Sequence, residues 1–152
     1  MSTGTIERTI DVGLAPPEAW ARLTDVAEVA SWLPILEQVT ERERLAAYDA
    51  VLQDRVGPFR LRADLAIKVT AATEPSLLAI EAAGEDRQVR SRIAVDASLE
   101  LTPGEHGNGT RLRLDARYEV TGRVATLGAS TINSKAGKLV DEFCARAEAE
   151  LR

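Results

Sequence analysis

The chain is expected to fold as α+β: a curved antiparallel sheet of seven strands wrapped around one long C-terminal helix, with two short helices after the first strand. Three observations predict this. From Phe59 to Ala71 every odd position is apolar (Phe59, Leu61, Ala63, Leu65, Ile67, Val69, Ala71), against Arg60, Arg62, Asp64, Ala66, Lys68 and Thr70. That is a period of two, the mark of a strand with one buried face and one wet face. Leu112, Leu114, Ala116, Tyr118 and Val120 repeat it against Arg111, Arg113, Asp115, Arg117 and Glu119. After Arg123 the period changes: Ile132, Ala136, Leu139, Val140, Phe143, Ala147 and Leu151 fall at helical spacings. One long helix against so much sheet makes the chain read first as a container.

The remaining elements follow in order. Thr5 to Val12 alternates Ile6, Ile10 and Val12 with polar residues, a first strand. Pro16-Pro17-Glu18 opens a short helix, because proline suits the first turn and an acid suits the positive end of the dipole. A second short helix spans Val26 to Ala30, and Pro34 stops any continuation. Strands are then expected over Leu36–Arg42, Tyr48–Val56, Phe59–Ala71, Leu77–Ala83, Val89–Leu101 and Thr110–Thr121. Gly57-Pro58, Glu74-Pro75-Ser76, Gly84-Glu85-Asp86 and the run Pro103–Gly109 supply the turns. The helix is expected from Arg123 to about Glu150, with Gly128 and Gly137 inside it, where glycine permits close approach by a neighbour.

A length of 152 residues points to one domain, 1–152, large enough for a real core. The net charge is −5 with both signs interleaved along the strands, which describes solvated faces and excludes a basic footprint for nucleic acid. The one cysteine, Cys144, allows no internal disulfide and no metal spacing. No window has the length of apolar sequence a membrane span needs, and Met1–Thr9 is not a signal sequence. A reducing cytoplasm is the expected compartment, and no cofactor or metal motif is present.

Candidate binding residues come from the apolar faces. Ala63, Ala82, Ala97 and Ala116 each fall near the middle of a strand, and aromatics are scarce. Small residues there either leave a cavity for an apolar ligand or let the helix dock closely. Tyr48, Leu52, Phe59, Tyr118 and Ile132 stand on the same faces, with Gly128 at the head of the helix. Asp54 shares parity with Tyr48, Ala50, Leu52 and Val56, so it points inward and needs a partner, or it sits at the rim in water. Arg8 poses the same question beside Ile6 and Ile10. Trp32-Leu33-Pro34-Ile35-Leu36 is a concentrated apolar run that either packs under the helix or borders the mouth of a cavity. His106, the only histidine, lies in a glycine-rich loop, and Cys144 sits beside the helix stripe as a packing residue, so no nucleophile–base pair is expected.

The element order is that of the helix-grip fold, and several segments resemble the START-like (SRPBCC) superfamily. Ala15–Asp25 resembles its opening motif and Leu33-Pro34 the pair after the short helices. Val56-Gly57-Pro58-Phe59, Gly109-Thr110-Arg111-Leu112 and Gly122–Gly128 are similar to motifs of one branch, the CoxG family, named for the G-subunit of carbon monoxide dehydrogenase. The chain departs from that branch at Ile35-Leu36 after Leu33-Pro34, and in lacking a glycine-rich fifth strand. The resemblance implies a non-enzymatic carrier or accessory protein that binds a hydrophobic molecule, a quinone or another lipid-like compound. It further implies service to a molybdenum hydroxylase of the CO dehydrogenase type and transient contact with the inner face of the membrane. Two other readings stay open. One is a cyclase, dehydratase or hydrolase of the same superfamily with Asp54 as acid or base. The other is an assembly factor that carries nothing.

Overall fold

The computed structural model describes residues 1–152. In chain order it contains β1 (Ser2–Val12), α1 (Pro16–Leu23), α2 (Val26–Ala30), β2 (Leu36–Glu43), β3 (Ala47–Val56), β4 (Phe59–Thr73), β5 (Leu77–Asp86), β6 (Ser91–Pro103), β7 (Thr110–Gly122) and α3 (Ala129–Glu150). The seven strands form one sheet in the order β1-β7-β6-β5-β4-β3-β2, antiparallel throughout. Strands β2 to β7 are successive hairpins, which short turns can join only in an antiparallel sheet. The short helices cross from one edge of the sheet to the other, carrying the chain from β1 to β2.

The alternation in β4 is realised residue by residue: Leu61, Ala63, Leu65 and Ile67 are buried and their neighbours are exposed. β1 begins at Ser2, earlier than expected from Thr5, because Ser2, Thr3 and Gly4 pair with Val120, Glu119 and Tyr118. α1 carries its proline in the first turn, and Asp25 caps α2 by accepting from the Glu28 N–H at 3.3 Å.

The C-terminal helix starts later than its periodicity suggested. Val124–Leu127 form a 3-10 turn, Gly128 takes φ +94°, and α3 follows from Ala129. Leu127 to Ile132 is a step of five, which breaks the three- and four-residue rhythm. The positive φ at the break falls on glycine, where no Cβ opposes it. Gly128 is therefore the hinge before the helix and not a weak point inside it. Gly137 is inside, facing β1: a Cβ there would lie 3.9 Å from Ile6 Cδ1 and 3.7 Å from the Arg8 guanidinium.

The core divides into two clusters. The upper one gathers Ile6, Tyr48, Ala50, Leu52, Val56, Leu61, Ala63, Leu65, Ile67, Tyr118, Val120, Val124 and Ile132, between β1, β3, β4, β7 and the N-terminal turn of α3. The lower one gathers Trp20, Leu23, Trp32, Leu78, Leu101, Leu112, Phe143, Ala147 and Leu151 around the short helices and the end of α3. Trp32 and Phe143 pack with ring centroids 5.6 Å apart. Of the core residues named on periodicity, Leu65, Ile67 and Phe143 are buried, whereas Phe59, Leu114 and Leu139 are only half-buried.

Candidate functional site

Register defines the face that α3 covers. Rows run across the sheet through Ile67, Ala82, Val95, Tyr118 and Gly4, then Val69, Ile80, Ala97, Ala116 and Ile6, then Leu78, Leu99, Leu114 and Arg8. Cover over these rows is uneven. Ile80, Ala82, Val95, Ala97, Leu99, Leu114 and Ala116 are half-buried although all point toward the helix, while Ala63, on β4, is 1% exposed. The incompletely covered strip is apolar and lies between the two clusters.

The placement of α3 accounts for this. Among the strands its backbone comes closest to β1, at one edge of the sheet. Two ion pairs hold its opposite flanks. Arg8 Nε donates to Asp141 Oδ1 at 2.7 Å on the β1 side, and Lys135 Nζ lies 3.0 Å from Asp54 Oδ2 on the β3 side. Tyr118 also ties the helix to the sheet by donating to Asn133 Oδ1 at 2.9 Å. Its ring crosses Gly4, where a Cβ would collide with the phenol oxygen. Burial pushes the Tyr118 phenol above its ordinary pKa.

The residues singled out from sequence separate into groups. Ala82, Ala97 and Ala116 sit in the half-buried strip. Ala63, Tyr48, Leu52, Tyr118 and Ile132 are packed into the upper cluster, and Phe59 is half-buried against it. The Tyr48 hydroxyl accepts from the Leu45 N–H at 2.7 Å. Trp32, expected to pack under the helix or border a cavity mouth, is 2% exposed and belongs to the lower core. Leu33 packs on the lower cluster, and Ile35 and Leu36 pack on the upper one. The segment therefore spans the interval between the clusters along the β2 edge, where the Gln53 N–H donates to the Ile35 carbonyl at 2.8 Å.

Asp54 points inward, one of the two placements its parity left open, with its side chain 16% exposed. It has partners that the chain pattern did not reveal: Lys135, and the Arg55 N–H at 2.8 Å. Both oxygens are thereby engaged in holding α3. Cys144 is buried, and burial raises its pKa further from neutrality, with the Asp141 charge adding to the effect. No group of three or more metal-ligating side chains occurs. Gly4, Asn133 and Lys135 were missed. None of the three carried a local signal: Gly4 precedes the strand expected from Thr5, and Asn133 and Lys135 are polar positions on a helix.

The family model for the G-subunit of carbon monoxide dehydrogenase (CoxG) matches residues 9–151. The chain belongs to the CoxG family. Several solved structures share the fold of this CoxG-family protein. A conserved protein from Geobacillus kaustophilus is similar at a TM-score of 0.79 with 20% identity, over 98% of this chain and 94% of that one. A START superfamily protein from Mycobacterium smegmatis is similar at a TM-score of 0.72 with 12% identity, over 97% and 96%. A Deinococcus radiodurans protein reaches 0.66 with 12% identity, over 97% and 96%. At these identities the likeness is one of fold. No curated protein matches the chain. No helix of this CoxG-family protein is long and apolar enough to cross a membrane.

Proposed function

We propose that this protein is a non-enzymatic carrier that holds a hydrophobic small molecule between α3 and the inner face of β5, β6 and β7. The observation that carries the reading is the half-buried apolar strip formed by Ile80, Ala82, Val95, Ala97, Leu99, Leu114 and Ala116. Apolar surface left partly in water within a fold is surface that a ligand can cover, at about 25 cal/mol per Å². The Trp32–Leu36 segment, the Gly57-Pro58 turn and the Gly128 hinge frame the side on which the cargo passes. Trp32 anchors that segment while Leu33 and Ile35 face the passage.

Family membership extends the proposal. CO dehydrogenase-type molybdenum hydroxylases are soluble and pass electrons onward, while quinones are dissolved in lipid. A carrier that shields a quinone from water bridges the two, and an isoprenoid quinone has the apolar chemistry of the strip. The alternative with Asp54 as acid or base finds no support in its geometry, because that carboxylate is engaged by Lys135 and a backbone N–H. The test is native mass spectrometry of protein purified from its own host, followed by organic extraction, alongside titration with a short-chain quinone analogue. Retention of a quinone and saturable 1:1 binding are expected. Protein that purifies empty and fails to bind the analogue in titration overturns the reading.

A further inference from the structure

The long helix α3 begins without a cap, next to open space and beside a buried hydroxyl that has no partner. Gly128 offers no side chain to the helix start, and the first turn holds no acid. The Gly128 N–H is spent on the Ala125 carbonyl, and the Ile132 N–H is the first to reach back, to the Gly128 carbonyl at 3.2 Å. The N–H groups of Ala129, Ser130 and Thr131 therefore have no partner in the chain, as happens at a helix start that no side chain caps. They carry the positive end of a 22-residue dipole. No carboxylate occurs in residues 1–6 or 120–140 to compete for them. Ala129, Ser130 and Thr131 are exposed, and a Cβ on Gly128 would meet nothing within 4 Å.

The hydroxyl belongs to Ser2. This residue is 4% exposed, and its Oγ is buried without a hydrogen-bond partner. Contacts further along fix its place relative to the helix. β1 and α3 run in the same direction: Asn133 meets the Tyr118 hydroxyl over Gly4, Gly137 faces Ile6 and Arg8, Asp141 holds Arg8, and the Leu151 carbonyl accepts from the Leu14 N–H. From Gly4 back to Ser2 is about 7 Å along a strand, and from Asn133 back to Ala129 is about 6 Å along a helix. Ser2 thus stands level with the first turn of α3. It shares the inner face with Gly4 and Ile6, two and four residues on, so its hydroxyl is aimed at that turn. Across the sheet its row continues through Val120 and Ile93, and the apolar strip begins in the next row, at Val95 and Ala82.

We infer that the N-terminus of α3 and Ser2 form the subsite for the polar head of the cargo. The head presents acceptor oxygens, a ring carbonyl or a carboxylate, to the free N–H groups and to the Ser2 hydroxyl. The hydrocarbon part lies down the strip toward Leu99 and Leu114. All that the helix end offers is hydrogen-bond donors, so a cargo of hydrocarbon alone gains nothing there. A buried hydroxyl without a partner costs stability, and an oxygen on the cargo relieves that cost. The assignment rests on the carrier reading and adds to it the direction in which the cargo lies and the chemistry of its leading end.

The probes are a decyl-substituted benzoquinone, dodecanoate, and decylbenzene, which keeps the apolar body without the oxygens. Two variants of the full chain each remove one donor. Ser2→Ala removes the hydroxyl. Ala129→Pro removes an N–H at the first helical position, where proline fits, and Gly128, with ψ 154°, already has the extended backbone that a following proline requires. Ala129→Gly keeps the N–H and is the control. Circular dichroism confirms folding of each variant, and Ser2→Ala should melt no lower than the parent because it removes an unpartnered group. Each lost hydrogen bond should weaken binding of the oxygen-bearing probe by about 3–10-fold and leave decylbenzene within about twofold. The carbonyl stretching band of the bound quinone should move back toward its position in a hydrocarbon solvent. Tighter binding of dodecanoate than of the quinone, with the same dependence on both donors, would uphold the subsite and make the head a carboxylate. Equal losses for decylbenzene, or no loss for the oxygen-bearing probes in either variant, would overturn the subsite and leave the carrier reading standing. Failure of all three probes to bind the parent protein would strike the carrier reading and the subsite with it.

Discussion

Ala97→Phe and Ala116→Phe test the half-buried strip directly. The two alanines face each other across β6 and β7, flanked by Ile80 on one side and Ile6 on the other. Full burial of a phenylalanine is worth about 1.5–3 kcal/mol, so a ring that is half covered gains about 1 kcal/mol. For a chain of this size 1 kcal/mol moves Tm by about 2–4 °C. Each variant is therefore expected to hold its Tm or gain about 2–4 °C, while affinity for a quinone analogue falls at least about tenfold because the ring occupies the ligand's place. Ala63→Phe supplies the contrast. Ala63 is 1% exposed and lies opposite Leu52 in the packed upper cluster. Overpacking there costs about 1–3 kcal/mol, and the Tm should drop. Differential scanning calorimetry and a fluorescence titration read both quantities. If Ala97→Phe and Ala116→Phe each lose as much as Ala63→Phe, the strip is close-packed core and leaves no place for a ligand.

Other residues give independent checks. Trp32→Ala should cost about 3–5 kcal/mol in chemical denaturation, as for a packed aromatic, whereas Leu33→Asp and Ile35→Asp should slow uptake of a quinone analogue from vesicles more than they lower stability. Gly4→Ala should displace the Tyr118 ring and break its bond to Asn133, lowering Tm; a smaller cost when combined with Tyr118→Leu would place the conflict at that ring. Burial opposes ionisation of Asp86, but its three backbone N–H donors prevail and hold the carboxyl below its ordinary value. Its contribution is therefore complete above the unfolded-state pKa of about 3.9, and is lost as pH falls through the lower folded value. Asp86→Ala should cost about 1–3 kcal/mol at pH 7 by stranding those donors, and should flatten the acid limb of the stability curve. Cys144, buried with a raised pKa, should stay unreactive toward a thiol reagent until the protein unfolds, and fast modification of native protein would contradict its placement.

Much of the fold was readable from the chain because alternation is a local property. The thirteen residues from Phe59 announce β4 without help from any other strand. What escaped depends on partners distant in sequence. The first residues of β1 look unstructured until β7 is set beside them. The paired state of Asp54 was invisible because Lys135 comes from α3, and that of Arg8 because Asp141 lies still further along the chain. Gly128 looked helical because Val124 and Leu127 continue the rhythm for one turn before the step of five interrupts it. Parity could place Ala82, Ala97 and Ala116 on the inner face. Their incomplete cover follows from how close α3 lies to one edge, which no periodicity encodes.

The strand order has a consequence for how the molecule assembles. From β2 to β7 each strand pairs with its successor, so those ladders zip from nearby turns. β1 joins β7 across about a hundred residues, and closing a loop of that length is the step with the largest entropic cost. Until it closes, β7 has a free edge with unpaired N–H and C=O groups, and the floor on which α3 must settle lacks Ile6. A second chain can supply the missing strand as readily as the first. The species to expect at high concentration during refolding is accordingly a reciprocal dimer in which two molecules have exchanged their first eleven-residue strand. Dilution, or a β1 peptide added in trans, should suppress it.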